Sequence, residues 1–205
     1  MTDQFFDQEQ AELWKLIADR AAPGANLDDI DARIWEAFGE EGAIMFTDLA
    51  GFTRRSAELG ITHFLQVIFE SQKLLRPLIE QHSGIVFEVV GDSMLIWFPT
   101  AQQAIESSIA MLEACRQHNA DLEVSHQVLL CVGIGYGRIL RVRNSRLAGA
   151  EVNVASKLGE DIAEAYETLI SDEARKAAGK MPHLEFTVTG EQLPGSSEVY
   201  RVTTK

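Results

Sequence analysis

The chain has 205 residues, of which 46% are hydrophobic and 24% charged, and its 18 Lys+Arg against 31 Asp+Glu give a formal net charge of −13 at pH 7. This composition can form a hydrophobic core and excludes a disordered tail, while the length fits one domain or a small domain with an appendage. A negative field repels phosphate backbones and anionic lipid headgroups, so neither nucleic-acid polymers nor membranes are expected partners.

The beginning of the chain and its cysteines indicate the compartment. The first residues, Met1-Thr-Asp-Gln, are polar and acidic, which is not typical of a secretory signal, and no apolar run approaches the ~20 residues of a membrane span. Cys115 and Cys131 are too few for a disulfide framework and lack the spacing of a metal site, so we expect two buried thiols. These features predict a cytoplasmic protein.

Two amphipathic helices are predicted before the main domain. Apolar residues recur among acids over residues 4–20, which is typical of a helix packed on one face. Ala22-Pro-Gly ends that pattern, and Asn26 is a suitable N-cap for a second helix over residues 27–39. We interpret residues 1–40 as an N-terminal helical appendage and residues 41–205 as one domain.

The remaining segments predict a sheet covered by helices. Predicted strands are residues 42–47, 85–90, 94–98, 122–136, 184–188 and 199–202. Predicted helices are residues 57–82, with a kink or a break at Pro77, residues 100–118 and residues 150–165. The strands 85–90 and 94–98 form a hairpin with Gly91-Asp92-Ser93 at its tip, and a basic stretch over 138–146 leads into the last helix. The fold class is therefore α+β, with a mostly antiparallel sheet.

Two aspartates stand at the ends of predicted strands. Asp48 ends the first strand and Asp92 occupies the hairpin tip, where each alone is a common turn residue. Together they indicate a site for oxygen-preferring Mg²⁺ or Mn²⁺ held against a phosphate. Gly51, Phe52 and Thr53 then lead into a helix, and backbone N–H groups in such a turn bind phosphate.

Three ordered motifs resemble those of class III adenylate/guanylate cyclases. The segment Phe46-Thr-Asp48-Leu-Ala-Gly51-Phe-Thr53 resembles the first metal motif of that family, and Gly91-Asp92 stands where the family carries its second metal aspartate. Val152-Asn153-Val-Ala-Ser-Lys157 is similar to the third signature, Val-Asn-x-Ala-(Ser/Ala)-Arg. The resemblance covers about residues 42–171 and implies a ferredoxin-like cyclase core, with a catalytic domain over residues 41–205.

The resemblance also implies a reaction and its cofactors. Asp48 and Asp92 would bind two divalent cations, with the Leu49 carbonyl as a further ligand, and the ribose 3′-hydroxyl would attack the α-phosphate and release pyrophosphate. Asn153 would orient the ribose, and Lys157 would contact the phosphates. Sites of this family form between two chains, which implies a homodimer and an inactive monomer.

The sequence departs from the family pattern at three places. Lys157 replaces an arginine and loses its planar, bidentate fork. Arg146 stands at a base-reading position that usually holds Asp, Thr or Cys. The segment from Gly137 to Val152 is shorter than the family's dimerisation arm.

Glu88 occupies the family's other base-reading position, where it favours guanine over adenine. In an alternative interpretation Glu88 is a solvent-facing strand residue, with Phe87 and Val89 pointing inward. ATP, GTP and a pyrimidine nucleotide all remain open as substrates.

Two functions fit these motifs. The first is a nucleotidyl cyclase, and the second is a cyclase-homology domain that binds a nucleotide or a protein and signals without turnover. Cations cluster around the motifs despite the acidic total, which favours a compact anionic substrate. These cations are Arg54, Arg55, Arg138, Arg141, Arg143, Arg146 and Lys157.

Overall fold

The computed structural model describes residues 3–51, 57–142 and 146–205, with side chains from residue 8 onwards. The helices are α1 (Asp3–Arg20), α2 (Leu27–Phe38), α3 (Ile61–Gln81), α4 (Ala101–Asn119), α5 (Ala150–Ser156), which a π-helical segment (Lys157–Ile162) continues, and α6 (Asp172–Ala178). The strands are β1 (Gly39–Leu49), β2 (Ile85–Val90), β3 (Ser93–Phe98), β4 (Leu130–Val142), β5 (Arg146–Ala148), β6 (Thr168–Ser171), β7 (Leu184–Val188) and β8 (Val199–Thr204).

The strands form one sheet in the order β2-β3-β1-β4-β6-β8-β7, and β5 pairs with the end of β4. Neighbouring strands are antiparallel except for β4 and β6, which are parallel. The predicted α+β class with a mostly antiparallel sheet is therefore confirmed.

Helices cover both faces of this sheet. On one face, α3, α4 and α6 enclose the main core, in which Met45, Ile96 and Ile134 from the strands are fully buried. On the other face, Ile44 and Leu95 pack with residues of α5 and β5. Because alternate residues of a strand point to opposite faces, the sheet presents one surface to the large core and another to α5.

Glycines in β4 allow α5 to lie directly on the sheet. A Cβ atom added to Gly133 would lie 2.2 Å from the Ala155 carbonyl oxygen and 2.3 Å from the Gly159 nitrogen. At Gly135 it would lie 2.8 Å from the carbonyl oxygen of Glu151. These contacts show that the glycine-rich segment of β4 serves close backbone packing, and they bring the helix that carries Asn153 onto the face of β1 and β4.

The prediction for β4 is wrong at both ends. The strand begins at Leu130 rather than at residue 122, because the Asn119 side chain donates to the Val128 carbonyl at 2.8 Å and accepts from the Val128 N–H at 2.9 Å. It then continues through the first part of the basic stretch, which pairs with β1 and turns back as β5. The described parts of the basic stretch thus belong to two antiparallel strands, and β5 stands between this stretch and the next helix.

Two helices also differ from their predictions. Pro77 lies inside α3, which runs unbroken from Ile61 to Gln81, so of the two predicted alternatives at Pro77 the break is wrong. The helix expected over residues 150–165 is α-helical only to Ser156 and then widens into the π-helical segment, closed by a 2.8 Å hydrogen bond from Ala163 N–H to the Leu158 carbonyl. Strand β6 and helix α6 were missed, since four fully buried residues give no alternating pattern.

The two N-terminal helices pack on the end of β4. Asn26 is the N-cap of α2, as predicted, and accepts a 3.4 Å hydrogen bond from the Asp29 N–H. The apolar faces of α1 and α2 meet β4 at Val142. The buried residues of this contact are Leu13, Leu16, Ile30, Ile34 and Phe38. Over the described ranges, no helix has the length and apolar character needed to cross a membrane.

Candidate active site

Asp48 lies at the end of β1 on the face that α5 covers. Ile44 and Phe46 precede it at two-residue intervals and pack on that face, so strand alternation directs the Asp48 carboxylate the same way. The Ser93 hydroxyl, at the start of β3, donates a 3.0 Å hydrogen bond to Asp48 Oδ1. β1 and β3 are neighbours in the sheet, and this pairing brings the tip of the β2–β3 hairpin to Asp48.

Asp92 lies at the tip of the β2–β3 hairpin, next to Asp48 at the end of β1. Gly91, with φ of 59°, makes the left-handed turn that precedes it. Burial and the negative charge of Asp48 raise the pKa of Asp92 to about 6. Burial likewise raises the pKa of Asp48, although hydrogen bonds from Ser93 and the Leu49 backbone oppose the rise. The structure thus brings together the two aspartates that the sequence singled out.

This carboxylate pair fits a divalent cation. Asp92 Oδ2 is buried and accepts no hydrogen bond from the described residues, and the two carboxylates repel one another. A bound cation would satisfy that oxygen and remove the repulsion. Groups of three or more His, Cys, Asp or Glu ligands do not occur in the described ranges. Such sparse ligation is usual for Mg²⁺, which keeps water and substrate phosphates as its other ligands.

Two residues of this site had not been singled out. Ser93 holds Asp48 by its hydrogen bond, and the charge of Glu160 contributes to the raised pKa of Asp48. Ser93 directly follows Asp92, so the hairpin motif itself contained that signal. Glu160 reaches the site only because the helix after Asn153 lies against β1, which a sequence pattern does not reveal.

A cavity of about 180 Å³ opens beside the aspartate pair, and Asn153 is part of its wall. The lining residues are Phe46, Glu88, Val90, Ser93, Leu95, Val152, Asn153 and Ser156. Ser93 belongs both to this wall and to the hydrogen bond with Asp48, so the cavity adjoins the carboxylates. Asn153 is exposed on α5.

A β-bulge turns Glu88 towards this cavity. The pairing of β2 with β3 runs through Val86 opposite Ile96 and then jumps to Glu88 opposite Leu95, so Phe87 is the extra residue. Opposed residues lie on one face, and Leu95 lines the cavity, so Glu88 faces it as well. Glu88 is nevertheless exposed, whereas Phe87 and Val89 are partly buried, so the interpretation of Glu88 as a solvent-facing strand residue stays open beside its place in the cavity wall.

Arg146 lies near Glu88. Both residues line a second cavity of about 310 Å³, together with Phe87, Leu95 and Leu147. Glu88 and Leu95 are common to the two cavities, which makes them adjoining parts of one groove. The two positions that the resemblance marks as base-reading thus meet in the fold, although β5 and β2 are distant in sequence.

Lys157 begins the π-helical segment, one helical turn after Asn153. It is exposed, and its Nζ atom lies 3.2 Å from Asp161 Oδ2. Lys157 lines neither of the two cavities. Within the structure its charge is paired one turn further along its own helix.

The remaining site predictions concern phosphate binding and local positive charge. Gly51 adopts a left-handed turn with φ of 78°, whereas Phe52 and Thr53 lie outside the described residues, as do the cations Arg54, Arg55 and Arg143. Arg138 stacks on Trp35, with 4.4 Å between the guanidinium carbon and the ring centroid. Arg141 forms a 2.7 Å ion pair with Glu40 and stacks on Trp97. These two arginines are engaged in packing at the far end of the sheet.

The family model described as the adenylate and guanylate cyclase catalytic domain matches residues 38–201. The chain belongs to this family. The predicted resemblance is confirmed, and the matched region is a cyclase domain.

Two curated relatives match most of this cyclase domain. The protein named "Putative adenylate cyclase 3" from Rhizobium meliloti (strain 1021) is 32% identical over 149 residues, which is 72% of this chain and 25% of that protein. Serine/threonine-protein kinase pkn2 from Myxococcus xanthus is 24% identical over 76% of this chain and 18% of that protein. The chain therefore spans a quarter or less of the length of these relatives.

Solved structures of similar fold come from the same family. The adenylate/guanylate cyclase/hydrolase from Silicibacter pomeroyi is 27% identical with a TM-score of 0.67, covering 80% of this chain and 95% of that one. The adenylyl cyclase CyaB from P. aeruginosa is 23% identical with the same TM-score, covering 82% of this chain and 96% of that one. The second likeness concerns the fold alone.

Proposed function

We propose that the cyclase domain converts a nucleoside triphosphate into a 3′,5′-cyclic nucleotide and pyrophosphate for signalling, using two Mg²⁺ or Mn²⁺ ions. The observation that carries the proposal is the carboxylate pair, in which a buried Asp92 oxygen has no hydrogen bond from the described residues and the charge of Asp48 raises the pKa of Asp92. A domain that merely binds a protein has no use for two repelling carboxylates beside a cavity. A cytoplasmic location accompanies the proposal, because the substrate is found there.

Asp48 and Asp92 would hold the cations, with the Leu49 carbonyl as a further ligand. When bound, the ions supply positive charge that acidifies the 3′-hydroxyl and neutralises the triphosphate. In the reaction, the ribose 3′-oxygen forms a bond to the α-phosphorus while the bond from that phosphorus to the bridging oxygen breaks. Pyrophosphate leaves with the electron pair of that bond, and the hydroxyl proton passes to solvent.

The other site residues would position the nucleotide. Asn153 lines the cavity, where its amide can orient the ribose of a nucleotide whose triphosphate is held by the carboxylate pair of the other chain in a dimer. Lys157 would turn from Asp161 to a phosphate oxygen, and backbone N–H groups of Gly51, Phe52 and Thr53 would bind the phosphates. Positioning and charge neutralisation of this kind are how proteins accelerate phosphoryl transfer.

Glu88 and Arg146 would read the base. A carboxylate accepts from a ring N–H, and a guanidinium donates to a ring carbonyl, so the pair matches bases that carry both groups side by side. Guanine presents N1–H beside O6, and uracil presents N3–H beside its carbonyls, whereas adenine and cytosine present an unprotonated ring nitrogen beside an amino group. This role of the two residues is supported by their position, because both side chains line one groove. We therefore expect the preference GTP, then UTP, then ATP and CTP.

A homodimer is part of the proposal, with the aspartate pair of one chain facing the Asn153 segment of its partner. Residues 1–40 are taken as the helical appendage and 41–205 as the cyclase domain. If the site is shared, mixing inactive Asp48→Ala and Asn153→Ala chains restores activity, because mixed dimers contain one intact site. Activity that stays absent on mixing, while each variant remains dimeric in sedimentation, contradicts a shared site.

A second function is favoured by one observation, the ion pair of Lys157 with Asp161. If that pair persists with nucleotide bound, the charge needed in the transition state is not delivered. The chain would then bind nucleotide and signal without turnover.

The deciding experiment incubates purified protein with ATP, GTP, CTP or UTP and Mn²⁺ and measures cyclic product by mass spectrometry. We expect product with GTP, and none from the Asp48→Ala variant. Glu41→Ala is a matched control, because it removes an exposed carboxylate from the opposite end of β1. Tight nucleotide binding without product from any of the four contradicts the enzyme and supports the second function.

A further inference from the structure

The N-terminal helices contact the β4–β5 hairpin through two tryptophans as well as through their apolar faces. Trp35 of α2 lies under Arg138 of β4, at 4.4 Å from the guanidinium carbon to the ring centroid. Trp14 of α1 lies in the same way against Arg146 of β5, at 5.7 Å. Both distances lie within the range in which a cation is attracted to the face of an aromatic ring, about 6 Å.

The two arginines differ in what else they contact. Arg138 lines neither part of the groove, whereas Arg146 lines the part that also contains Glu88. Stacking occupies the flat face of a guanidinium and leaves the N–H donors in its plane free. Among the described residues Arg146 has no hydrogen bond or ion pair, so those donors remain available to a ligand in the groove.

Trp14 is not needed to pack the appendage. Its side chain is 52% exposed, whereas Leu13 and Leu16 of the same helix are 7% and 5% exposed and belong to the cluster that joins α1, α2 and β4. A large aromatic side chain left half exposed, with one arginine as its ring partner, is well placed to restrain that arginine rather than to hold the helices together.

We propose that Trp14 is a positioning residue, which stacks on Arg146 and holds its guanidinium against the base end of the nucleotide groove. The N-terminal appendage thereby sets the discrimination between bases. The restraint lowers the number of conformations that Arg146 loses when it donates to a base carbonyl. This inference rests on the proposed function, because it requires a nucleotide in the groove.

The test measures binding of the α,β-methylene analogues of GTP and ATP, which cannot be cyclised, to the full chain with Mn²⁺. The Trp14→Ala variant is expected to lower the ratio of GTP-analogue to ATP-analogue affinity by ~3-fold to ~10-fold. Trp14→Phe keeps a ring under Arg146 and is expected to restore most of the ratio. In turnover, Trp14→Ala should raise KM for GTP and leave kcat unchanged.

Two controls separate positioning from a general loosening of the appendage. Trp35→Ala removes the same type of ring from the same appendage, but its arginine lies outside the groove, so the affinity ratio should stay at the wild-type value. In an Arg146→Ala background, Trp14→Ala should have no further effect on the ratio. Thermal unfolding of each variant shows whether the fold is retained.

An unchanged affinity ratio in folded Trp14→Ala overturns the inference, and so does a further fall in the Arg146→Ala background. The binding assay keeps this result separate from the proposed function. Analogue binding without any cyclic product contradicts the cyclase alone, whereas a wild-type chain that binds neither analogue contradicts both.

Discussion

The two ends of the candidate site differ in how completely the fold has built them. At the acidic end, Asp48 and Asp92 are half-buried on a sheet, fixed by a hairpin and by the Ser93 hydroxyl. At the basic end, Asn153 and Lys157 are exposed on a short helix, and within the described part of the chain the ion-pair partner of Lys157 is Asp161.

This difference has a physical cause. Two desolvated carboxylates repel one another, so they persist side by side only where rigid backbone imposes it, and the metal-free fold is less stable as a result. A lysine and an asparagine on a helix surface need no such support and take their geometry from the ligand. The acidic end of the site is therefore preformed in the fold, and the basic end is the part that adapts to a ligand.

The largest expected effect comes from neutralising the acidic end. Asp92→Asn should lower turnover on the order of 1000-fold, because it removes charge that would hold the cation. The same change should raise the midpoint of thermal unfolding without metal, since it removes the repulsion with Asp48. Asp121→Asn, in an exposed loop, is the matched control and should do neither. A variant that lost activity together with stability would show a structural role instead.

The next effect concerns the basic end. Lys157→Ala should reduce kcat by about 100-fold, since the transition state loses one positive charge, and Lys157→Arg should exceed the wild type through its bidentate fork. Asp161→Asn should raise kcat modestly by releasing Lys157 from its ion pair. Steady-state kinetics with GTP measure all three. A kcat that is indifferent to Lys157→Ala would leave the basic end with no part in the chemistry.

The preference of the protein between GTP and ATP should change when Glu88, at the bulge in β2, is replaced. Glu88→Lys replaces an acceptor with a donor in the groove and should shift the GTP-to-ATP ratio of kcat/KM by about tenfold towards ATP. Glu80→Lys makes the same change on the surface of α3 and serves as the control. If both variants keep the wild-type ratio, Glu88 is a strand residue without a role in reading the base.

The smallest effect is a pH dependence confined to the acidic end. The ordinary pKa of Asp92 is 3.8 and its folded value is about 6, so between these values the folded state binds more protons than the unfolded state. The contribution of this group to the free energy of unfolding is therefore present at low pH and is lost as the pH rises towards 6. In chemical denaturation without metal, the free energy of unfolding of the wild type should therefore fall as the pH rises from 3.8 towards 6, and that of Asp92→Asn should lack this fall. Parallel pH profiles would contradict the raised pKa.

The sequence predicted the parts of the site that depend on local pattern. A strand that carries Asp48 near its end and a hairpin with Asp92 at its tip follow from short-range signals, and both are present, although β1 is longer than predicted and runs from Gly39 to Leu49. The facing of Glu88 could not be predicted, because a bulge changes which side of the strand a residue occupies. Neither could the approach of Trp14 to Arg146, which depends on how α1 docks on β5. Contacts between distant segments follow from tertiary packing and leave no trace in residue spacing.

We propose that the acidic end and the basic end of the site act on one nucleotide and close a ring on its phosphate. ³¹P NMR of GTP turnover with Mg²⁺ tests it most directly, because a cyclic phosphodiester, pyrophosphate and orthophosphate give separate signals. We expect the cyclic phosphodiester and pyrophosphate to appear together in equal amounts with the wild-type chain. Orthophosphate alone, or a triphosphate left unchanged by a folded, nucleotide-bound protein, would contradict it.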